Sequence, residues 1–163
     1  METLQINKEN AMKAHNEATG ELKKALATAF GLTYANPIDI FKSYTDVCSA
    51  AGIDPVASLP FPYPKTKKHV SSNGNFKLQI IFDEFNRKED GSIWEPDYTD
   101  NEAKYYAWFE WSPSLGAFVF GDAFFTNTDA GLGARLCTNT DAKMVYIAKT
   151  FNTEWNEFLN PQI

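Results

Sequence analysis

The stretch EAKYYAWFEW, residues 102–111, puts five aromatic side chains into ten positions. Successive side chains of a strand point to opposite faces, so a half-buried strand needs its apolar residues on one parity only. Here one parity holds Tyr105, Ala107, Phe109 and Trp111, and the other holds Tyr106, Trp108 and Glu110. Both faces are therefore apolar, and each calls for cover or for a partner. SPSLG follows, and then AFVFGDAFF, so the pattern predicts a hairpin with a longer loop. The second strand offers Phe118, Phe120, Asp122 and Phe124 on one parity. A third short run, ARLCT, comes after the glycine-containing turn TDAGLG and is expected to complete a three-stranded antiparallel sheet.

Helices supply the cover. The closing segment presents Met144, Ile147, Ala148, Phe151, Trp155, Phe158 and Leu159 at helical spacing behind a cap at Thr140 or Asn139. FKLQIIFDEFN fits strand and helix periods alike; we read it as helix, with Ser72, Asn73 and Asn75 as caps. SYTDVCSAAGIDP reads as a short helix from Ser43 to a stop at Gly52. Pro55, Pro60, Pro62 and Pro64 make the next segment an extended crossing, and RKEDGSIWEPDYTDNE is a turn-rich loop. Residues 7–31 read as helical, with a stripe of Leu22, Ala25, Leu26, Ala29 and Phe30, a break at Gly20 and a stop at Gly31. That stripe is mostly alanine, so residues 1–36 are expected to be a peripheral helical extension beside an α+β domain of residues 37–163. The expected fold is α+β: N-terminal helices, then a small three-stranded antiparallel sheet packed by a long C-terminal amphipathic helix. Its expected core is built on Leu78, Ile81, Phe82, Phe109, Phe118, Phe120, Leu136, Ile147, Phe151, Trp155 and Phe158. One sheet face should lie under the closing helix. The other should be covered by the N-terminal helices, by the FKLQIIFDEFN helix or by another molecule.

Charge narrows the functions. A net charge of −6 opposes broad electrostatic binding to nucleic acid. The two cysteines, Cys48 and Cys137, are too few for a disulfide scaffold and read as small buried hydrophobes. No apolar run reaches the ~18 residues of a membrane span, and no signal peptide is visible. His15 and His69 stand alone, without a metal-ligand neighbour, so neither a metal nor a cofactor is expected. Glu110 and Asp122 could face each other across the hairpin as a carboxylate pair, although edge charges that block aggregation explain them as well. Arg135, beside the hairpin, is expected to pair with Glu110 or Asp122, or else to serve a ligand. Trp94, Asp97 and Tyr98 stand out in a polar loop, either plugging the core or recognising something. With Tyr106, Trp108 and Arg135 they form the candidate binding set.

From residue 44 to 159 the chain resembles an uncharacterised family of short proteins from phages and prophages of gut Bacteroides-type bacteria. The likeness rests on YTDVCSAAGIDP, KLQIIFDEFN, WEPDYTDNEAKYYAWFEW, GLGARLC and AKMVYIAKTFNTEWNEFL, in that order. The N-terminal segment resembles the helical extension of many members. The chain departs from the family at Ala107, where proline is usual, at TNT after Cys137, where Phe-Lys-Ser is usual, and at Ala148, where glycine is usual. The resemblance implies a phage-encoded protein in the bacterial host cytoplasm or the virion, supports the helix at residues 76–86, and supplies no reaction or ligand. Together with the aromatic surplus it points to a non-enzymatic protein that binds a protein partner, whether a second copy, a phage protein or a host protein. The alternatives are a counter-defence protein that sequesters a small nucleotide and a hydrolase using Glu110 and Asp122.

Overall fold

A computed structural model describes residues 36–88, 90–127 and 135–163, together with Ala14, Ala18, Leu22, Ala25, Leu26, Ala29 and Phe30. These residues form an α+β arrangement in the order α1 (Pro37–Ile40), α2 (Tyr44–Ala51), α3 (Lys67–Phe85), β1 (Lys104–Ser112), β2 (Ala117–Thr126), α4 (Asp141–Thr150) and α5 (Asn152–Leu159). Most of residues 7–31 lie outside the described residues. Of the expected stripe, Leu22 and Phe30 are exposed and Leu26 is half-buried.

Local chemistry starts and stops α2 as expected. The Ser43 hydroxyl accepts from the Asp46 amide, and Gly52 closes the helix at φ 70°, in the left-handed region. α3 begins earlier than expected, because the Thr66 hydroxyl accepts from His69 N at 3.2 Å. Asn73, one of the expected caps, has another task. It is buried and bonds both the amide and the carbonyl of Phe61, at 3.0 and 2.8 Å, which ties the proline-rich crossing to the helix.

The core joins Val47 and Cys48 of α2, Leu78, Ile81, Phe82 and Phe85 of α3, Met144 and Ile147 of α4, and Phe151 with Trp155. Tyr105, Ala107, Phe109 and Ala123 pack on it from the sheet. Of the expected core, Phe109, Phe118, Phe120 and Phe158 are only half-buried.

The described sheet has two strands, in antiparallel register from Lys104↔Thr126 to Ser112↔Ala117. The third strand expected at residues 134–138 is absent among the described residues, where only an isolated bridge joins Tyr105 to Thr138. Leu136 and Cys137 turn inward instead of following β1, and the Cys137 carbonyl accepts from Asn86 Nδ2 at 2.8 Å. The expected single parity of β2 is also corrected. The register shifts at the step Trp108/Phe109, whose partners are Asp122 and Phe120, so Gly121 is an extra, bulged residue. Phe118 and Phe120 thus share the face of Phe109, while Asp122 and Phe124 fall on the face of Trp108.

The closing helix is two consecutive helices meeting at Phe151, which has φ −102° and ψ 34°. Its ladder persists through the joint, from Phe151 N to Ile147 O at 3.0 Å and from Trp155 N to Phe151 O at 3.1 Å. The bend turns the chain from the hairpin, under α4, to the flank of α3, along α5. Asn156 then serves the outer edge of β2 as a strand would: its Oδ1 accepts from Phe118 N and its Nδ2 donates to Phe118 O, each at 2.8 Å.

On α5, burial raises the Glu154 carboxyl above its usual range, and Glu157 adds to this while Lys77 opposes it. A carboxyl whose folded pKa exceeds its unfolded value binds more protons when folded, so its contribution to stability falls as pH rises from about 4 through the raised value. Glu154→Gln is therefore expected to melt above the wild type at pH 7, with the difference closing below about pH 4. Calorimetric melts at the two pH values check this; a lower melting temperature for the variant at pH 7 would contradict it.

Candidate functional site

Two surfaces take up the candidate residues. The first is a cavity of about 430 Å³, within the range of small-molecule pockets. The end of α3 contributes Asp83 and Asn86, one helical turn apart on one face. The loop that follows folds back through the bridge Arg87↔Ile93 and contributes Ile93, Trp94, Glu95, Pro96 and Tyr98. Arg135 also lines it.

Around Asn86 the polar groups are unequally served. Nδ2 donates to Cys137 O, but the buried Oδ1 has no partner among the described residues. Asp83 keeps an exposed edge, yet partial desolvation and then the neighbouring Glu84 hold it above the usual carboxylate range, with Arg87 and Arg135 pulling the other way. Glu84 itself is buried and forked onto Arg87. The back wall is aromatic. Trp94 packs with Tyr106 and Cys137, its indole N–H donates to Glu102 at 3.2 Å, and the hydroxyls of Tyr98 and Tyr106 lie 3.0 Å apart. Beneath them the Lys104 side chain is fully buried, held by Asp100 Oδ1 at 2.7 Å and Asn127 O at 2.9 Å, with its ammonium 5.7 Å from the Tyr98 ring centre.

The second surface is the sheet face turned away from the core. Tyr106 stacks on Phe124, with ring centres 5.5 Å apart, under the cover of the 94–102 loop. Beyond that cover Trp108 is 58 % exposed and Phe124 43 %. Glu110 and Asp122 share this face and are exposed too. The two carboxylates thus stand exposed, and neither is among the described lining of the cavity.

Of the six candidate residues, Trp94, Tyr98 and Arg135 converge on the cavity, with Tyr106 directly behind it. Trp108 belongs to the open face. Asp97 belongs to neither: it accepts from Thr99 N at 2.8 Å and Thr99 Oγ1 at 2.6 Å, and these bonds hold its carboxyl below the usual range and shape the loop. Arg135 makes no ion pair with Glu110 or Asp122, because its segment does not run beside the hairpin as a strand. Asp83, Asn86, Ile93, Glu95 and Pro96 were not anticipated as a site. The one sequence signal for them is the polar pair at i, i+3 ending the apolar α3 stripe.

Burial pushes the Cys137 thiol up to about 11, and His69 stacks on Phe61 at 4.1 Å at the start of α3. No group of three His, Cys, Asp or Glu among the described residues could hold a metal ion, and no described helix is long and apolar enough to cross a membrane. Neither a protein-family model, nor a curated protein, nor a solved structure matches the chain.

Proposed function

We propose that this is a non-catalytic binding protein that docks a protein partner on the outer face of its hairpin. The observation that carries the reading is the exposed pair Trp108 and Phe124, rimmed by Glu110 and Asp122. Exposed aromatic patches mark interaction sites, and tryptophan is prominent among residues that dominate binding energy. The acidic rim selects the occupant. A second copy would bring Glu110 and Asp122 against their own equivalents in a chain already at −6. A partner with apolar side chains flanked by lysine or arginine meets both the rings and the rim. The phage setting belongs to the same reading and rests on the sequence resemblance alone.

The test uses two synthetic amphipathic peptides with the same apolar face, one with lysine and arginine on its flanks and one with glutamate. The basic peptide should bind at least tenfold more tightly by calorimetry. The double variant Trp108→Ser, Phe124→Ser should lose at least tenfold of that affinity while still unfolding in one cooperative transition. Equal affinity for the two peptides, no binding of either, or an unchanged double variant would overturn the reading. So would light scattering that shows a dimer dependent on Trp108, since the occupant would then be a second copy.

A further inference from the structure

We infer that the cavity between α3 and the 93–98 loop is a binding site for a guanidinium group. This goes beyond the docking reading and does not rest on it, since the residues concerned are different. The polar groups of the cavity ask mainly for donors. Asp83 and Glu95 bring carboxylates, and Asn86 brings a buried carbonyl oxygen that no described residue serves. Asp83 and Asn86 are three residues apart at the end of α3, so both belong to the same wall of the cavity. A guanidinium carries five N–H donors in a rigid fork, and it is more weakly hydrated than an ammonium, so it is less costly to desolvate. Trp94 and Tyr98 supply ring surface, and a flat delocalised cation is favoured on such faces.

The charge balance points the same way. Among the described lining residues, two carboxylates accompany one guanidinium, that of Arg135. A nucleotide would bring several negative charges into an acidic cavity of an acidic protein, and Arg135 alone would not offset them. A ligand guanidinium would instead bring positive charge to the Asp83 and Glu95 carboxylates. Arg135, at the same wall, is then free to meet an anionic group elsewhere on a ligand.

Agmatine is the first probe, with guanosine monophosphate as the anionic comparison, both followed by titration calorimetry of the whole chain at low salt. Agmatine should give a saturable isotherm with a one-to-one ratio, while the nucleotide binds at least tenfold more weakly. Asp83→Asn and Glu95→Gln should each weaken agmatine by at least tenfold with melting temperatures no lower than that of the wild type. If one of them fails to fold, the other carries the comparison. Acetyl-arginine-methylamide then separates the sources of the group: tighter binding than agmatine assigns the site to an arginine of a polypeptide, and equal or weaker binding to a free small molecule. No saturable binding of agmatine to the wild type, the nucleotide binding as tightly as agmatine, or both variants binding as the wild type does would overturn the inference. Loss of peptide binding in the Trp108, Phe124 double variant has no bearing on these results, so the two readings fail separately.

Discussion

Phe151→Ala is expected to remove about 3–5 kcal/mol of stability, the usual cost of emptying a buried aromatic site. The side chain is 1 % exposed, and its ring meets Phe85 edge-on at 5.9 Å between centres. Phe151 is also the residue at which α4 gives way to α5, so its ring fills the core at the joint of the two helices. The neighbours cannot close the space easily. Phe85 is held from its other sides by Phe41 at 5.5 Å and Tyr146 at 5.9 Å, and the Tyr146 hydroxyl is anchored on Phe41 O at 2.9 Å. A domain of this size shifts its melting temperature by roughly 2–4 °C per kcal/mol, so a drop on the order of 10 °C should be seen. Phe125→Ala is the comparison. That ring is 61 % exposed, and its loss should cost under about 1 kcal/mol. Urea unfolding of the two variants checks the contrast. Similar costs would mean that Phe151 is not at the centre of the core.

Where the sequence was legible, the cause of the structure is local. Ser43 and Gly52 bound α2 because a hydroxyl and a left-handed backbone act within one turn of the chain. The apolar spacing of Met144, Ile147, Phe151 and Trp155 marks a buried face whether or not the helix bends, so the bend itself left no trace in the pattern. Phe118 to Phe124 show the opposite case. Their alternation reads as one face, but Gly121 is unpaired in the ladder, and everything beyond it changes sides. A glycine in a strand is a hint of a bulge, not its position. This one residue decides that Phe124 joins Trp108 on the open face. The cavity was half legible for a similar reason. Trp94, Tyr98 and Arg135 stand out because each is unusual where it sits. Asp83 and Asn86 look like the ordinary solvated side of a helix until the 93–98 loop folds over them. That closure depends on Trp94 N reaching Asn86 O at 2.8 Å, a contact no local pattern announces.

Gly74→Ala is expected to destabilise the protein by about 2 kcal/mol, against the direction set by helix propensity. In an exposed helix interior, alanine for glycine gains about 1 kcal/mol. Gly74 is buried in the middle of α3, where α5 runs closest. A Cβ there would stand 2.5 Å from Phe158 N and 2.8 Å from Glu157 C. These are backbone atoms, so no rotamer change relieves the contact, and the helices must separate. Overpacking of this kind costs typically 1–3 kcal/mol, and rigid obstacles favour the upper end, so the steric cost outweighs the gain in propensity. Separation would also strain the polar ties between the helices, the Ser71 hydroxyl on Phe158 O at 2.9 Å and the Lys77–Glu157 pair at 2.7 Å. A second substitution identifies the cause. Phe158→Ala removes a half-buried side chain but leaves the Phe158 amide where it was, so it should not rescue Gly74→Ala. In a double-mutant cycle followed by urea unfolding, the double variant should be less stable than Phe158→Ala alone. A Gly74→Ala protein at least as stable as the wild type would show that α3 and α5 do not approach this closely in solution. Rescue by Phe158→Ala would place the clash on the side chain rather than the backbone.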